Sequence, residues 1–487
     1  MTSGADCTIV DKQAPIDNDS ERVVSYVPAE ERHGTIAQQF RFWFLSNFQF
    51  YAMSIGFIGP SMGLNFGWSV LATLLGLVIG TTFMALHGSQ GPHLGLPQMI
   101  QSRAQFGHRG VVVPILSAVF VFVASSIMVV VIASDGIEKV FGIPAFVGGW
   151  LITGIAMVMA LSGYDWLHRI YTAVLYLSLP FIIILTIALP FQTNDIGASS
   201  ALGFTAIGFI FQATAAAGYN ITLAPYVSDY TRYMRSNTSS KKMVLAVGGG
   251  AAMSGLWMMG VGSWLASYLG VGDALSGMRN VGNGVVSHLG DLAALTSVIA
   301  LIAANATSAY STMLSAVTVR SSFGRPIFTG RSRIVTIILV CVFVGVVGTS
   351  ITGDVLTALG NALTLNLAVL VPWTAINLVD YFLLKRGRFI IADLLRPSTS
   401  YGMWSARGLT AYAIGIAFMA PFLVVHGFYE GPLAKVVHGA DISWALGLIV
   451  SALAYVLLQP LDRLQGRAPS VADAEPDVMV RPSDSSP

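Results

Sequence analysis

The chain reads as an all-α polytopic membrane protein with about twelve transmembrane helices, and three observations predict it. Of its 487 residues, 54% are hydrophobic and only 10% are charged, against roughly 25% charged in an ordinary soluble domain. Apolar stretches of about 20 residues recur along the chain, the length that crosses roughly 30 Å of hydrocarbon as a helix. These stretches lack the period-two alternation of a membrane barrel, and backbone groups in lipid must find partners within their own segment. Helices follow.

Apolar windows place the spans at 36–60, 66–87, 110–134, 144–164, 168–191, 203–226, 242–269, 290–318, 333–350, 355–383, 408–427 and 442–459. They divide the chain into an N-terminal tail (1–34), a ten-helix core (35–385), two C-terminal helices with their preceding loop (386–462) and a tail (463–487). The polar start of the chain carries no short apolar run behind basic residues, so no cleaved secretory signal is expected. From Gly466 onward the sequence is rich in Ser, Pro and Asp and reads as disordered.

Basic residues set the orientation. Loops after the even-numbered spans hold sixteen Lys or Arg residues, among them Arg103, Arg232, Arg325, Arg333 and Lys385, and the opposite loops hold three: Lys139, Arg279 and Lys435. Both termini are therefore expected in the cytoplasm, with the chain multi-pass in the plasma membrane.

Several functions are excluded by what is missing. A net charge of +2 gives no bulk electrostatic case for a nucleic-acid partner. Cys7 and Cys341, the two cysteines, cannot build a disulfide framework or a four-ligand metal site and are read as inert thiols. No phosphate-binding GxxxxGK[ST] loop or HExxH motif occurs. Asp165, Asp229 and Asp380 lie near predicted cytoplasmic helix ends, so no carboxylate relay is visible at mid-membrane. An ion gradient must then drive any transport. His87 and His93 are read as solvent-facing or capping residues, and Asp229 with Arg232, three apart, as a local ion pair.

Polar residues interrupt three spans. The first contains Trp43-Phe44-Leu45-Ser46-Asn47-Phe48-Gln49-Phe50-Tyr51, where Ser, Asn and Gln are costly in lipid unless they face a cavity or another helix. In the sixth, Thr214-Ala215-Ala216-Ala217-Gly218-Tyr219-Asn220 combines small residues, a glycine that permits unwinding, one ring and one amide. The eighth carries adjacent hydroxyls at Thr307 and Ser308, two hard oxygens suited to a small cation. Helix–helix contact, or back-bonding of each hydroxyl to its own helix, accounts for the same residues without a ligand.

Several motifs then carry a resemblance to a known family. They are Glu31-Arg32 ahead of Phe40-x-x-Trp43-x-x-x-Asn47, and Gly91-Pro92-His93-Leu94-Gly95-Leu96-Pro97-Gln98-Met99 followed by Ser102-Arg103 and Phe106-Gly107. Pro225-Tyr226-Val227-Ser228-Asp229-Tyr230-Thr231-Arg232-Tyr233 and Asp380-Tyr381 complete the set. The chain resembles the nucleobase–cation symporter-1 family, in particular its purine–cytosine permease branch.

The resemblance implies a LeuT-type 5+5 inverted repeat with two added C-terminal helices, and alternating access around a site between helices 1, 3, 6 and 8. It implies a Na⁺ site made by the carbonyls of Ser46, Gln49 and Ala304 and the hydroxyls of Thr307 and Ser308. Relatives hold a flat heterocycle between aromatic residues of helices 3 and 6. Here the helix 3 position falls on Ser125, with Ser126 beside it, so that ring is absent. Helix 6 matches at Gly218, Tyr219 and Asn220, leaving Tyr219 or Phe50 as platform, and helix 8 offers Thr312.

The expected function is a secondary symporter importing a nucleobase (cytosine or purine) or related N-heterocycle, driven by Na⁺ or H⁺. Na⁺ is the expected coupling ion, because the hydroxyl pair is present and no mid-membrane carboxylate is. The alternative is a symporter of the same fold for an amino acid or another small polar metabolite. No enzyme is expected, because the spans hold no nucleophile–base pair, and no cofactor. The expected partners are a nucleobase-like small molecule and the lipid bilayer, with no nucleic acid, and the protein a monomer or weak oligomer.

Overall fold

A computed structural model of the chain describes residues 26–162, 164–192, 203–324, 330–397, 400–437 and 439–465. Cys7, Arg325, the N-terminal tail to residue 25 and the C-terminal tail from 466 lie outside the described residues, as does the side chain of Asp165.

The first predicted span is three helices rather than one: α1 (Ile36–Asn47), α2 (Phe50–Ile55) and α3 (Ile58–Ser61). Thr35 opens α1 with a reciprocal capping box to Gln38, which satisfies two orphan donors. The helix ends where its polar residues cluster. Phe48 turns out of helical geometry (ψ 69°) and Gln49 is extended (φ −146°, ψ 157°). The break deprives nearby carbonyls of helical partners, and the Gln49 side-chain Nε2 donates to the Ser46 carbonyl at 2.7 Å.

Then come α4 (Phe66–Gly88) and three short helices, α5 (Gln90–Leu94), α6 (Gln98–Gln101) and α7 (Arg103–Phe106). The next spans are α8 (Val112–Phe141), α9 (Ala145–Leu161), α10 (Tyr164–Ala188) and α11 (Ala206–Ile221). The Gly218 region, expected to unwind, stays helical, with Gly218 packed against Leu363 and Leu367. The chain leaves the helix later, at Thr222–Tyr226, where Pro225 supplies no N–H to continue it. A short α12 (Val227–Thr231) follows beyond the predicted span.

The second half runs α13 (Ser240–Leu269), α14 (Ala274–Val285), α15 (Leu289–Ser322), α16 (Gly330–Ser350), α17 (Val355–Leu378), α18 (Ile391–Leu395), α19 (Ala406–Met419), α20 (Ser443–Leu457) and α21 (Pro460–Leu464). Among the described residues, seven helices are long and apolar enough to cross a membrane alone, and three shorter apolar helices accompany them. α14 was not expected. The eleventh predicted span, set at 408–427, is α-helical to Met419, continues as a 3-10 turn over Ala420–Phe422 and is followed by a hairpin of β1 (Val424–Val425) and β2 (Tyr429–Glu430).

Without water to drive apolar surfaces together, small residues let helices meet in lipid. Gly76 and Gly80 bring α4 onto the backbone of α11 at Ala213 and Ala217, and α13 packs along both α1 and α4. Parallel bridges Gly34–Met234 and Leu64–Gly203 tie the first span to the sixth at both ends.

The motif after α4 is buried rather than exposed. His87, read from sequence as solvent-facing or capping, is fully buried and stacks on Trp373 with ring centroids 4.7 Å apart and planes 5° from parallel. Its neighbours form an amide chain, Gln98 to Gln90 at 3.2 Å and Gln90 to Asn377 at 2.8 Å. Asp380 sits in a π-helical turn (Val379–Leu384) and accepts from Gln105 (2.6 Å), Lys385 (2.9 Å) and Tyr455 (3.1 Å). This hub ties the loop after α4 and the last helices to α17, which explains why the motif needs its polar residues.

Candidate functional site

The broken first span faces a cavity of about 130 Å³ bounded by α1, α2, α8, α11, α15 and α17. Seven residues singled out from sequence line it: Ser46, Gln49, Ser125, Tyr219, Ala304, Thr307 and Ser308. The five expected cation ligands thus share one cavity with Ser125 and Tyr219. The Thr307 hydroxyl is back-bonded to the Ala303 carbonyl at 2.9 Å, the pattern expected of a helical Thr without a ligand.

Five expected substrate residues do not line this cavity. Phe50 is buried and faces a different space, described below. Ser126 is buried in α8, and Gly218 is consumed by close packing against α17. Thr312 back-bonds to the Ser308 carbonyl at 2.9 Å. Asn220 is fully buried, its side-chain oxygen accepting from Asn47 and its nitrogen donating to Thr81. Asn47 also reaches the Ala251 carbonyl at 3.0 Å, so this pair joins α1, α11, α4 and α13. Its amides act as interhelical glue.

Tyr51 was missed from sequence. It lines the cavity, and its ring stacks on Tyr219 with centroids 5.8 Å apart and planes 25° from parallel. Gln49 Nε2 donates to the Tyr219 hydroxyl at 3.1 Å. A tyrosine two residues past a polar cluster was the available signal, but the helix break hides its direction.

Among the described residues no charged side chain lines this cavity. A second space adjoins it, sharing Phe122, Tyr226 and Ser311, and includes Asp229. Asp229 Oδ1 accepts the Gln98 backbone N–H at 2.8 Å, a contact across the loop beyond the local Arg232 pairing expected from sequence. Burial pushes its carboxyl up to about 6, against the opposing pull of Arg232 and the Gln98 N–H. A carboxyl raised in the folded state favours folding in acid: its contribution is present below the ordinary carboxylate value and lost as pH rises through about 6. Acidifying purified protein from about pH 7.5 to about pH 5.5 should therefore raise its Tm through this group. Asp229→Asn, which keeps an acceptor for Gln98, should flatten that segment of the Tm–pH curve; an unchanged curve would contradict the assignment.

On the other face of α2 lies a separate cavity of about 200 Å³, lined by Phe50, Ser54 and Phe57 together with Asp135, Lys139, Asp273 and Asp354. Lys139 pairs with Asp135 at 2.7 Å and approaches Asp273, the cap of α14, at 3.6 Å. The six-residue α2 is thus a partition: Tyr51 looks into one cavity, Phe50 and Ser54 into the other.

Comparison with known proteins settles the family. The sequence pattern described as "Permease for cytosine/purines, uracil, thiamine, allantoin" matches residues 26–447. The chain belongs to this family. It is a permease, not an enzyme. The putative purine-cytosine permease YxlA of Bacillus subtilis is 33% identical over 464 residues, covering 92% of this chain and 97% of that protein. The purine-cytosine permease fcyB of Emericella nidulans is 25% identical, covering 91% and 89% respectively. In fold the permease is similar to Mhp1, described as a nucleobase-cation-symport-1 family transporter. Against its closed, bromovinylhydantoin-bound form the TM-score is 0.70 at 17% identity, covering 91% of this chain and 95% of that one. Against its inward-facing form the TM-score is 0.69 at 18% identity, covering 91% and 93%. The expected LeuT-type helical architecture is the fold observed.

Proposed function

We propose that this permease is a secondary symporter that imports a neutral N-heterocycle of the cytosine or purine class across the plasma membrane, with Na⁺ as the coupling ion. The observation that carries the substrate reading is the cavity wall, in which stacked phenols, an amide and hydroxyls surround a space without charge. A flat uncharged base can stack on Tyr219 and hydrogen-bond at its edges. A zwitterionic amino acid would enter the same space without counter-charges, an unfavourable exchange for its hydration. The wall therefore favours the heterocycle over the amino-acid alternative.

The Na⁺ reading rests on Ser46, Gln49, Ala304, Thr307 and Ser308 sharing that wall. Uncharged oxygens suit a hard monovalent cation, and proton coupling through Asp229 is the competing outcome. The excess of basic residues in loops after even-numbered spans supports a cytoplasmic position for both termini.

Cells expressing the protein should accumulate at least one of labelled cytosine, adenine, hypoxanthine, uracil and allantoin, and Na⁺ removal should abolish uptake. Uptake of none, with the protein confirmed at the membrane, would refute the substrate class. Uptake that ignores Na⁺ and collapses with the proton gradient would refute the ion.

A further inference from the structure

The two stacked tyrosines of the cavity are chemically unequal. Tyr219 has its hydroxyl engaged by Gln49 at 3.1 Å. Tyr51 is 5% exposed, and its hydroxyl has no hydrogen-bond partner although it is buried. An unpaired buried hydroxyl is unfavourable, and on the wall of a binding cavity the missing partner can arrive with the ligand.

The ring geometry says where the ligand's edge would lie. A base inserted between the rings would need them about 7 Å apart, twice an ordinary carbon–carbon contact. They stand 5.8 Å apart, with planes 25° from parallel. Insertion does not fit. A base laid on Tyr219 beside Tyr51 instead shares the layer of the Tyr51 ring and presents its edge to that ring's hydroxyl. A phenol donates one hydrogen bond, and the edges of nucleobases offer ring nitrogens and carbonyl oxygens as in-plane acceptors.

We propose that Tyr51 is a specificity-determining residue whose hydroxyl donates to one in-plane acceptor of the transported heterocycle, while Tyr219 supplies the stacking face. This rests on the nucleobase reading above. It also gives α2 a second role, since the helix that separates the two cavities carries the group that reads the substrate.

The test uses analogues each lacking one in-plane acceptor of the base that the uptake screen identifies: 1-, 3- and 7-deazaadenine for adenine, and for cytosine 3-deazacytosine, without N3, and 4-aminopyrimidine, without the carbonyl oxygen. In competition against the labelled parent, the wild-type protein should bind one analogue about tenfold more weakly for the lost bond. Tyr51→Phe removes only the oxygen and should abolish discrimination against that analogue, leaving the other ratios unchanged. Tyr219→Leu, which removes the stacking face, should weaken all ligands alike, and Tyr51→His, which returns a donor, should restore part of the ratio that Tyr51→Phe loses. Tyr51→Phe protein that retains every wild-type ratio would overturn the proposal while leaving nucleobase transport intact. Absence of uptake of any base by the wild type would overturn both.

Discussion

Gly80→Val is expected to leave almost no folded protein in the membrane, whereas Gly260→Val should accumulate normally. A β-carbon at Gly80 would lie 2.3 Å from the Ala217 carbonyl oxygen and 2.7 Å from its Cα, and one at Gly76 would lie 2.1 Å from the Ala213 carbonyl oxygen. The obstacle is backbone, which cannot rotate away, so α4 and α11 would have to separate. Overpacking a core typically costs about 1–3 kcal/mol and occasionally more, and separation here would also strain the Asn220–Thr81 bond between the same helices. At Gly260, also mid-helix, a β-carbon meets nothing within 4 Å. Detergent-solubilised fusion protein analysed by size-exclusion fluorescence would compare the two. Equal monodisperse peaks would show that α4 and α11 do not meet as closely as described.

Thr307→Ala is expected to raise the Na⁺ concentration for half-maximal uptake by about tenfold or more, on the scale of one lost charge-assisted oxygen contact. At saturating Na⁺, substrate affinity should change much less. The hydroxyl is back-bonded to Ala303 and reaches the shared cavity, so its removal deletes an oxygen without opening the core. Thr307→Ser should retain near wild-type Na⁺ dependence. Because coupling is reciprocal, Na⁺ should tighten substrate binding and substrate should tighten Na⁺ binding by the same factor. Isothermal titration of each ligand, with and without the other, measures this; a Thr307→Ala protein with unaltered Na⁺ dependence would remove Thr307 from the ion site.

The spans were legible because hydropathy over 20 or so residues is a strong signal in a chain this poor in charge. The first helix break was legible for a related reason, since Ser46, Asn47 and Gln49 cannot all face lipid. Its consequences were not. A break resets the helical phase, so sequence spacing could not tell whether Phe50 or Tyr51 turns toward the inner cavity. Asn220 looked like a ligand because its partner, Asn47, is 173 positions away and no local pattern reveals a hydrogen bond between two such distant amides. His87 stacks on Trp373 through an equally distant contact. α14 escaped hydropathy because its Gly277, Gly282 and Gly284 dilute the apolar signal, and its Asp273 cap became informative only beside Lys139.

The thinness of α2 bears on the electrical cost of transport. A helix with its side chains is only about 10–12 Å across, a fraction of the hydrocarbon thickness, and α2 has one cavity on each face. Water filling both cavities would act as a conductor reaching in from each side, concentrating most of the membrane voltage across that short septum. A monovalent ion stepping past α2 would then move through nearly the whole potential, worth about 2.3 kcal/mol per 100 mV. Uptake into proteoliposomes should accelerate when a potassium diffusion potential is imposed negative inside, and slow when its sign is reversed.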